Sequence, residues 1–212
     1  MPVPSALIFD FDGLILDTET PLLDAWEQVH REHGLTYDRA KGHTIIGHSG
    51  VYYDPWEAFP AGADRAVLES QFETIKSAII VGQPILPGVE SLLEQAKASG
   101  IPMGVASNSP HEHVDKHLER LGLRTNFGAV VCREDVPNAK PAPDVYLQAC
   151  RQLGAAPADA FAFEDSAPGH RAAHGAGLTV VVVPNPSTRH DDFPHASQVL
   201  TSLAEFVLPT PV

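Results

Sequence analysis

Two aspartates close an apolar run near the start of the chain, in Ile8-Phe9-Asp10-Phe11-Asp12-Gly13. In an extended strand residues i and i+2 share a face, so both carboxylates project together beyond the strand end. Carboxylates this close raise each other's proton affinity unless a cation sits between them. A divalent ion relieves the repulsion, and hard oxygen ligands suit Mg²⁺. One carboxylate can then stay ionised as a nucleophile while the other serves as acid and base. Taken alone, the pair reads equally well as caps on a strand-to-turn junction. Glu164-Asp165-Ser166 closes a later apolar run and adds two carboxylates, making an oxygen-rich metal cage plausible. Ser107 follows another such run, Met103 to Ala106. Ser109-Pro110-His111-Glu112 then has the form of a capping box with proline at the first helical position. A helix is predicted to start there, its N-terminal amides favouring an anion. Lys140, in Asn138-Ala139-Lys140-Pro141-Ala142-Pro143-Asp144, is the one cation near four predicted carboxylates.

The elements that must position these groups are visible as apolar runs. Ala6 to Phe9, Met103 to Ala106, Ala129 to Cys132, Ala160 to Phe163 and Thr179 to Val183 are nearly continuous rather than alternating, as strands covered on both faces should be. Helical periodicity separates them. It is carried by Val89, Leu92, Leu93 and Ala96; by Val114, His117, Leu118 and Leu121; and by Tyr146, Ala149, Cys150 and Leu153. Each stripe ends at a glycine: Gly100, Gly122 or Gly154. This alternation predicts an α/β fold, a parallel sheet with helices on both faces. Between Gly13 and about Pro84 only helical patterns occur: Leu22, Trp26, Val29 and His33, then Leu68, Phe72, Ile75 and Ile79. The stretch reads as a helical insertion at the C-terminal end of the first strand, where open α/β sheets bind ligands. A lid is the geometric expectation, with Gly13 to Asp17 and Val81 to Pro87 as hinges. A decoration with no gating role is the plain alternative.

Composition narrows the partners. The 212 residues carry 14 Lys and Arg against 27 Asp and Glu, a formal net charge of −13. That argues against nucleic acid or an anionic membrane as partner. No apolar run approaches a membrane span, and the N-terminus runs straight into a strand without a basic signal-peptide region. Cys132 and Cys150 form no CxxC, so free thiols in a reducing, cytoplasmic compartment are expected.

Taken together, Asp10-x-Asp12-Gly13-Leu14-Ile15-Leu16-Asp17-Thr18-Glu19, Ser107-Asn108, Lys140-Pro141-x-Pro143-Asp144 and Glu164-Asp165-Ser166-x-x-Gly169 resemble the four motifs of the haloacid dehalogenase superfamily. They come in the family's order, and the resemblance spans essentially the whole chain. It is strongest to the branch with a helical cap after the first motif, which holds phosphoglycolate phosphatase-like and β-phosphoglucomutase-like enzymes. The resemblance implies a Rossmann-like three-layer core, residues 1–14 and 85–212, with a helical cap at 15–84. It also implies roles. Asp10 attacks phosphorus, and Asp12 protonates the leaving oxygen and then activates water. Ser107 and the backbone at Asn108 bind the phosphoryl group, and Lys140 neutralises it. Mg²⁺ sits on the Asp10 side chain, the Asp12 carbonyl and Asp165, with Glu164 direct or through water. Phosphoryl transfer needs just such in-line positioning and charge neutralisation.

Within that family, the dehalogenases and phosphonate-cleaving members lack an aspartate at the position of Asp12, so its presence points to a phosphate ester. Mutases of the branch carry a histidine in the first cap helix where this chain has Leu22. They also carry Arg and Lys where it reads His43-Thr44-Ile45-Ile46-Gly47-His48-Ser49. Between Lys41 and Arg65 there is no Lys or Arg to grip a second phosphate, although Arg39, Lys41 and Lys76 remain nearby. Glu19 is the type found in the phosphatase-like members. The expected activity is therefore Mg²⁺-dependent hydrolysis of a small phosphorylated metabolite, such as a sugar phosphate, by a monomer or small homo-oligomer. The alternatives are a sugar-phosphate mutase and a catalytically silent phosphate-binding protein. His113/His117 and His170/His174 have i, i+4 spacing but no HExxH context, and read as packing rather than zinc ligands. His43 and His48 read as substrate-reading groups or as solvated surface. Trp26, Tyr52, Tyr53, Trp56 and Phe59 read chiefly as the core of the helical insertion.

Overall fold

The computed structural model describes residues 3–43 and 53–209. His48 and Tyr52, and with them most of the His43–Ser49 segment, lie outside the described residues. The chain divides into two compact units, Met1–Leu16 with Ile85–Val212, and Asp17–Pro84.

The first unit is built on a six-stranded sheet: β1 (Ala6–Phe9), β2 (Met103–Ala106), β3 (Ala129–Val131), β4 (Ala160–Glu164), β5 (Thr179–Val182) and β6 (Gln198–Val199). Their order is β3-β2-β1-β4-β5-β6, and every pairing is parallel. β6 has only two residues, too few to show a pattern in sequence. β3 stops before Cys132, whose N–H turns aside to the Asp135 carboxylate at 2.8 Å.

Both faces of strands β1 to β5 are buried almost throughout, and period-two alternation sorts them. Ala6 and Ile8 of β1, Ala160 and Ala162 of β4, and Val180 and Val182 of β5 form one cluster with helices α6 (Asp144–Leu153) and α7 (Ala167–Gly175). The odd-numbered neighbours carry the aromatics of the other face. Phe9 stacks on Phe163 at 4.9 Å between centroids, and Phe206 meets Phe163 edge-on at 5.0 Å. β1 pairs with β4 in the register Ala6↔Ala160 through Phe9↔Phe163, and Asp10 N–H continues the ladder to the Phe163 carbonyl at 2.9 Å. Alternation therefore turns Asp10 and Glu164 to the face that carries α6.

Two further helices of this unit are α4 (Val89–Ala98) and α5 (His111–Arg120). α5 is tied to the turn after β3 by a charge cluster. His111 places Nδ1 2.8 Å from Asp115 and Nε2 2.7 Å from Asp135. Burial pulls the imidazole down, but its two carboxylate partners outweigh that and hold it above its ordinary value. A group raised on folding stabilises below its unfolded value, about 6.5, and loses that contribution as pH climbs through the folded value. The advantage of wild type over His111→Gln in urea midpoint is thus expected at pH 6 and should shrink by pH 8.5. An advantage that grows with pH would contradict the charged bridge.

The second unit is helical, with α1 (Glu19–Glu32), α2 (Arg39–Gly42) and α3 (Arg65–Val81). Asp17 accepts the Thr20 amide at 2.9 Å at the start of α1, and Asp64 caps α3. Trp26 stacks on Phe72 at 4.2 Å and meets Trp56 edge-on at 4.3 Å, with Tyr53 and Phe59 packed beside them. These aromatics are the unit's core. Ile15 and Leu16, expected in the insertion, belong to the α/β unit instead. Both are fully buried, Leu86 N–H donates to Ile15 O at 3.0 Å, and Leu16 bridges Ile85. Among the described residues no helix is long and apolar enough to cross a membrane.

Candidate active site

Asp10 stands one residue past β1 and Glu164 ends β4, side by side on one face. The loop before α6 delivers Lys140 between them, its Nζ 2.6 Å from Asp10 Oδ1 and 2.7 Å from Glu164 Oε1. All three are buried, Glu164 completely. The Asn108 side chain fixes that loop, accepting Lys140 N–H at 2.8 Å and donating to its carbonyl at 3.2 Å. Tyr146 of α6, also fully buried, donates its hydroxyl to Glu164 Oε1 and lays its ring 5.0 Å from the ammonium. The other Glu164 oxygen accepts from the amide of Asp165 at 3.2 Å and the hydroxyl of Ser166 at 3.2 Å. Gly169 is required here, because a Cβ on it would fall 1.9 Å from Glu164 Oε1.

One oxygen from each of Asp10, Glu164 and Asp165 lies within 4.8 Å of the others. Three buried carboxylates thus converge, with one buried ammonium paired to two of them. Burial, helped by the charges of Glu164 and Asp12, pushes the Asp10 carboxyl up to about 7 against the pull of Lys140. Burial also disfavours the Lys140 charge, but the Asp10 and Glu164 carboxylates outweigh it and hold the ammonium above its ordinary range. An all-oxygen, anionic and dehydrated donor set short of positive charge fits a hard divalent cation.

Asp12 is held differently. Its Oδ2 accepts from Ser109 Oγ at 2.7 Å and Ser107 Oγ at 3.3 Å, and His113 Nε2 lies 2.9 Å from Oδ1. Ser109 therefore does not cap α5, as the capping-box pattern predicts; the helix starts at His111 with no side-chain cap. A carboxylate reached across the fold is a stronger acceptor partner for that hydroxyl than the local backbone. The anion expected at the helix start is the protein's own, since His111 N–H donates to Glu134 at 2.7 Å. His117 is core, as its place on the apolar stripe implies. Burial first, then the neighbouring cations, lower it to about 4. His170 is fully buried as well.

Sequence reasoning named Asp10, Asp12, Ser107, Asn108, Lys140, Glu164 and Asp165, and the fold brings all seven to one end of the sheet. It missed the supporting residues Tyr146, Ser109, His113, Asn185 and Thr188. Asn185 Nδ2 donates to Asp165 Oδ2 at 2.7 Å, and Thr188 Oγ1 to the Asp165 carbonyl at 2.6 Å.

The model of the haloacid dehalogenase-like hydrolase family matches residues 7–183, a span that holds every one of the seven. The chain belongs to this family. Among curated relatives, YhcW of Bacillus subtilis (strain 168) is 35% identical over 207 residues, covering 96% of this chain and 94% of that protein. Hexitol phosphatase B of Escherichia coli (strain K12) is 34% identical over 207 residues, 94% of this chain and 93% of that protein. The crystal structure of CbbY from Rhodobacter sphaeroides in complex with phosphate superposes with a TM-score of 0.78 at 29% identity, covering 95% of this chain and 96% of that one. The six-stranded α/β unit is thus the fold of this hydrolase family, and the chain lies in its phosphatase branch.

Proposed function

We propose that this chain is a Mg²⁺-dependent phosphatase that hydrolyses a small phosphorylated metabolite through an aspartyl-phosphate. The observation that carries the reading is the convergence of the Asp10, Glu164 and Asp165 carboxylates, two of which, Asp10 and Glu164, hold the Lys140 ammonium between them. Asp10, with Lys140 on Oδ1, attacks phosphorus in line with the ester oxygen, and that P–O bond breaks as the Asp10 O–P bond forms. Asp12 gives its proton to the departing oxygen. The same carboxylate then takes a proton from the water that attacks the aspartyl-phosphate, which returns Asp10 and releases inorganic phosphate. Ser107 and the amide at Asn108 receive the phosphoryl oxygens, with Lys140 neutralising their charge. The Asp10, Asp165 and Glu164 carboxylates and the Asp12 carbonyl would hold Mg²⁺, which supplies charge stabilisation to the transferring group.

A sugar or sugar-alcohol phosphate is the favoured class, in line with the named activity of the Escherichia coli relative. We assign substrate selection to Asp17–Pro84, inserted directly after the strand that presents Asp10. Two of its cations, Arg39 and Lys76, are already paired, with Asp24 at 2.6 Å and Glu73 at 2.7 Å. That favours a hydrolase over a mutase that must grip a second phosphate. The test is inorganic phosphate release from sugar phosphates, hexitol phosphates, phosphoglycolate, nucleotides and p-nitrophenyl phosphate, with Mg²⁺ or with EDTA. Release that requires Mg²⁺ is expected. No release from any compound would overturn the reading, and isomerisation of β-glucose 1-phosphate without release would replace it with the mutase.

A further inference from the structure

We infer that Asn185 and Thr188, in the proline-rich loop after β5, are positioning residues that orient Asp165 for the divalent cation. The inference rests on the metal-dependent reading above. Its basis is the direction of one side-chain amide. Asn185 Oδ1 accepts from the backbone N–H of Ser187 at 2.7 Å and of Thr188 at 3.2 Å. With the oxygen committed to the loop, the amide nitrogen must point the other way, onto Asp165 Oδ2 at 2.7 Å. Thr188 closes the same turn. Its Oγ1 accepts Asn185 N–H at 3.0 Å and donates to the Asp165 carbonyl at 2.6 Å, and the residue is 1% exposed. One carboxylate group and its own backbone are thus gripped by a single four-residue turn.

The backbone after Asp12 approaches the same pair. Gly13, directly after Asp12, has φ +78°, and a Cβ there would lie 2.2 Å from Asp165 Oδ2 and 2.6 Å from Asn185 Nδ2. The backbone carrying Asp10 and Asp12 therefore closes against the Asn185–Asp165 pair. The chemistry of the brace matters too. A neutral amide fixes the carboxylate's rotation without cancelling its charge, whereas a lysine there would compete with the cation. Groups that orient metal ligands in this way typically cost ten- to a hundredfold in metal affinity when removed.

The experiment is titration of the substrate-free chain with Mn²⁺, read by the loss of the free-ion EPR signal. Asn185→Ala and Thr188→Val are expected to weaken binding about 10- to 100-fold, and Thr188→Ser to retain it. In steady state, Asn185→Ala should need correspondingly more Mg²⁺ for half-maximal phosphate release and recover most of kcat at saturation. A residue that only stabilises the loop would lower the melting temperature and leave the Mn²⁺ affinity unchanged. Wild-type binding with folded Asn185→Ala and Thr188→Val each within twofold of it would overturn the inference and leave the phosphatase reading standing. Should Asn185→Ala not fold, Thr188→Val against Thr188→Ser decides alone. No Mn²⁺ binding by the wild-type chain would overturn the metal-dependent reading itself.

Discussion

Asp10→Asn is expected to abolish phosphate release, by at least about four orders of magnitude, because the attacking oxygen is gone and no neighbouring group can replace it. The fold should not suffer. Burial raises the Asp10 carboxyl to about 7, with Glu164 and Asp12 adding to the rise against the pull of Lys140. A group raised on folding contributes stability below its unfolded value, near 4, and loses it as pH rises through the folded value. Asparagine is neutral at every pH and escapes that loss, while Lys140 keeps Glu164 as its partner at 2.7 Å. Thermal melts in EDTA should therefore show Asp10→Asn gaining on wild type between pH 5 and pH 8. A variant that is inactive because it is unfolded would show the reverse.

Lys140→Met has the larger structural consequence. It leaves Asp10 and Glu164 facing each other in a buried site with no cation between them. Breaking a buried pair from one side costs about 3–5 kcal/mol, because the charge left behind keeps its desolvation penalty. Urea unfolding without metal should report a loss of that order, together with loss of activity. The double variant Lys140→Met/Glu164→Gln removes one of the stranded charges and should recover part of the stability but none of the turnover. A single variant within 1 kcal/mol of wild type would mean that the carboxylates shed their charge at no cost.

The carboxylate candidates and Ser107 could be picked out because they follow or end apolar runs, and runs covered on both faces are easy to see, whereas Lys140 stands in a loop with no such mark. Ala6–Phe9 and Met103–Ala106 have the same ends in sequence and structure. What could not be read was register. That Asp10 and Glu164 meet depends on Phe9 pairing with Phe163, and no local pattern specifies which residue of β4 lies beside which residue of β1. Ser109 was misread for a related reason. Its neighbours spell a helix start, but the acceptor that claims its hydroxyl is 97 positions away in the chain. Asn185 and Thr188 lie in a stretch whose prolines say only that it is a loop. Their roles rest on one amide's direction, which is a property of the folded turn. The first end of the helical insertion was read at residue 15, whereas Ile15 and Leu16 stay with the α/β unit, both fully buried and Leu16 bridged to Ile85, a pairing that no local pattern announces.

The bridge between Leu16 and Ile85 has a consequence for how this architecture can be edited. The α/β unit is left and re-entered at neighbouring, backbone-paired residues, so from its side the whole of Asp17–Pro84 is one excursion with its ends already clamped together. The entropy of closing such an excursion grows only logarithmically with its length. Segments of very different size can be spliced between the same two residues with little change in the stability of the unit that carries Asp10. The junction is a natural graft point, at which new selectivity could be installed while the phosphate chemistry is inherited unaltered.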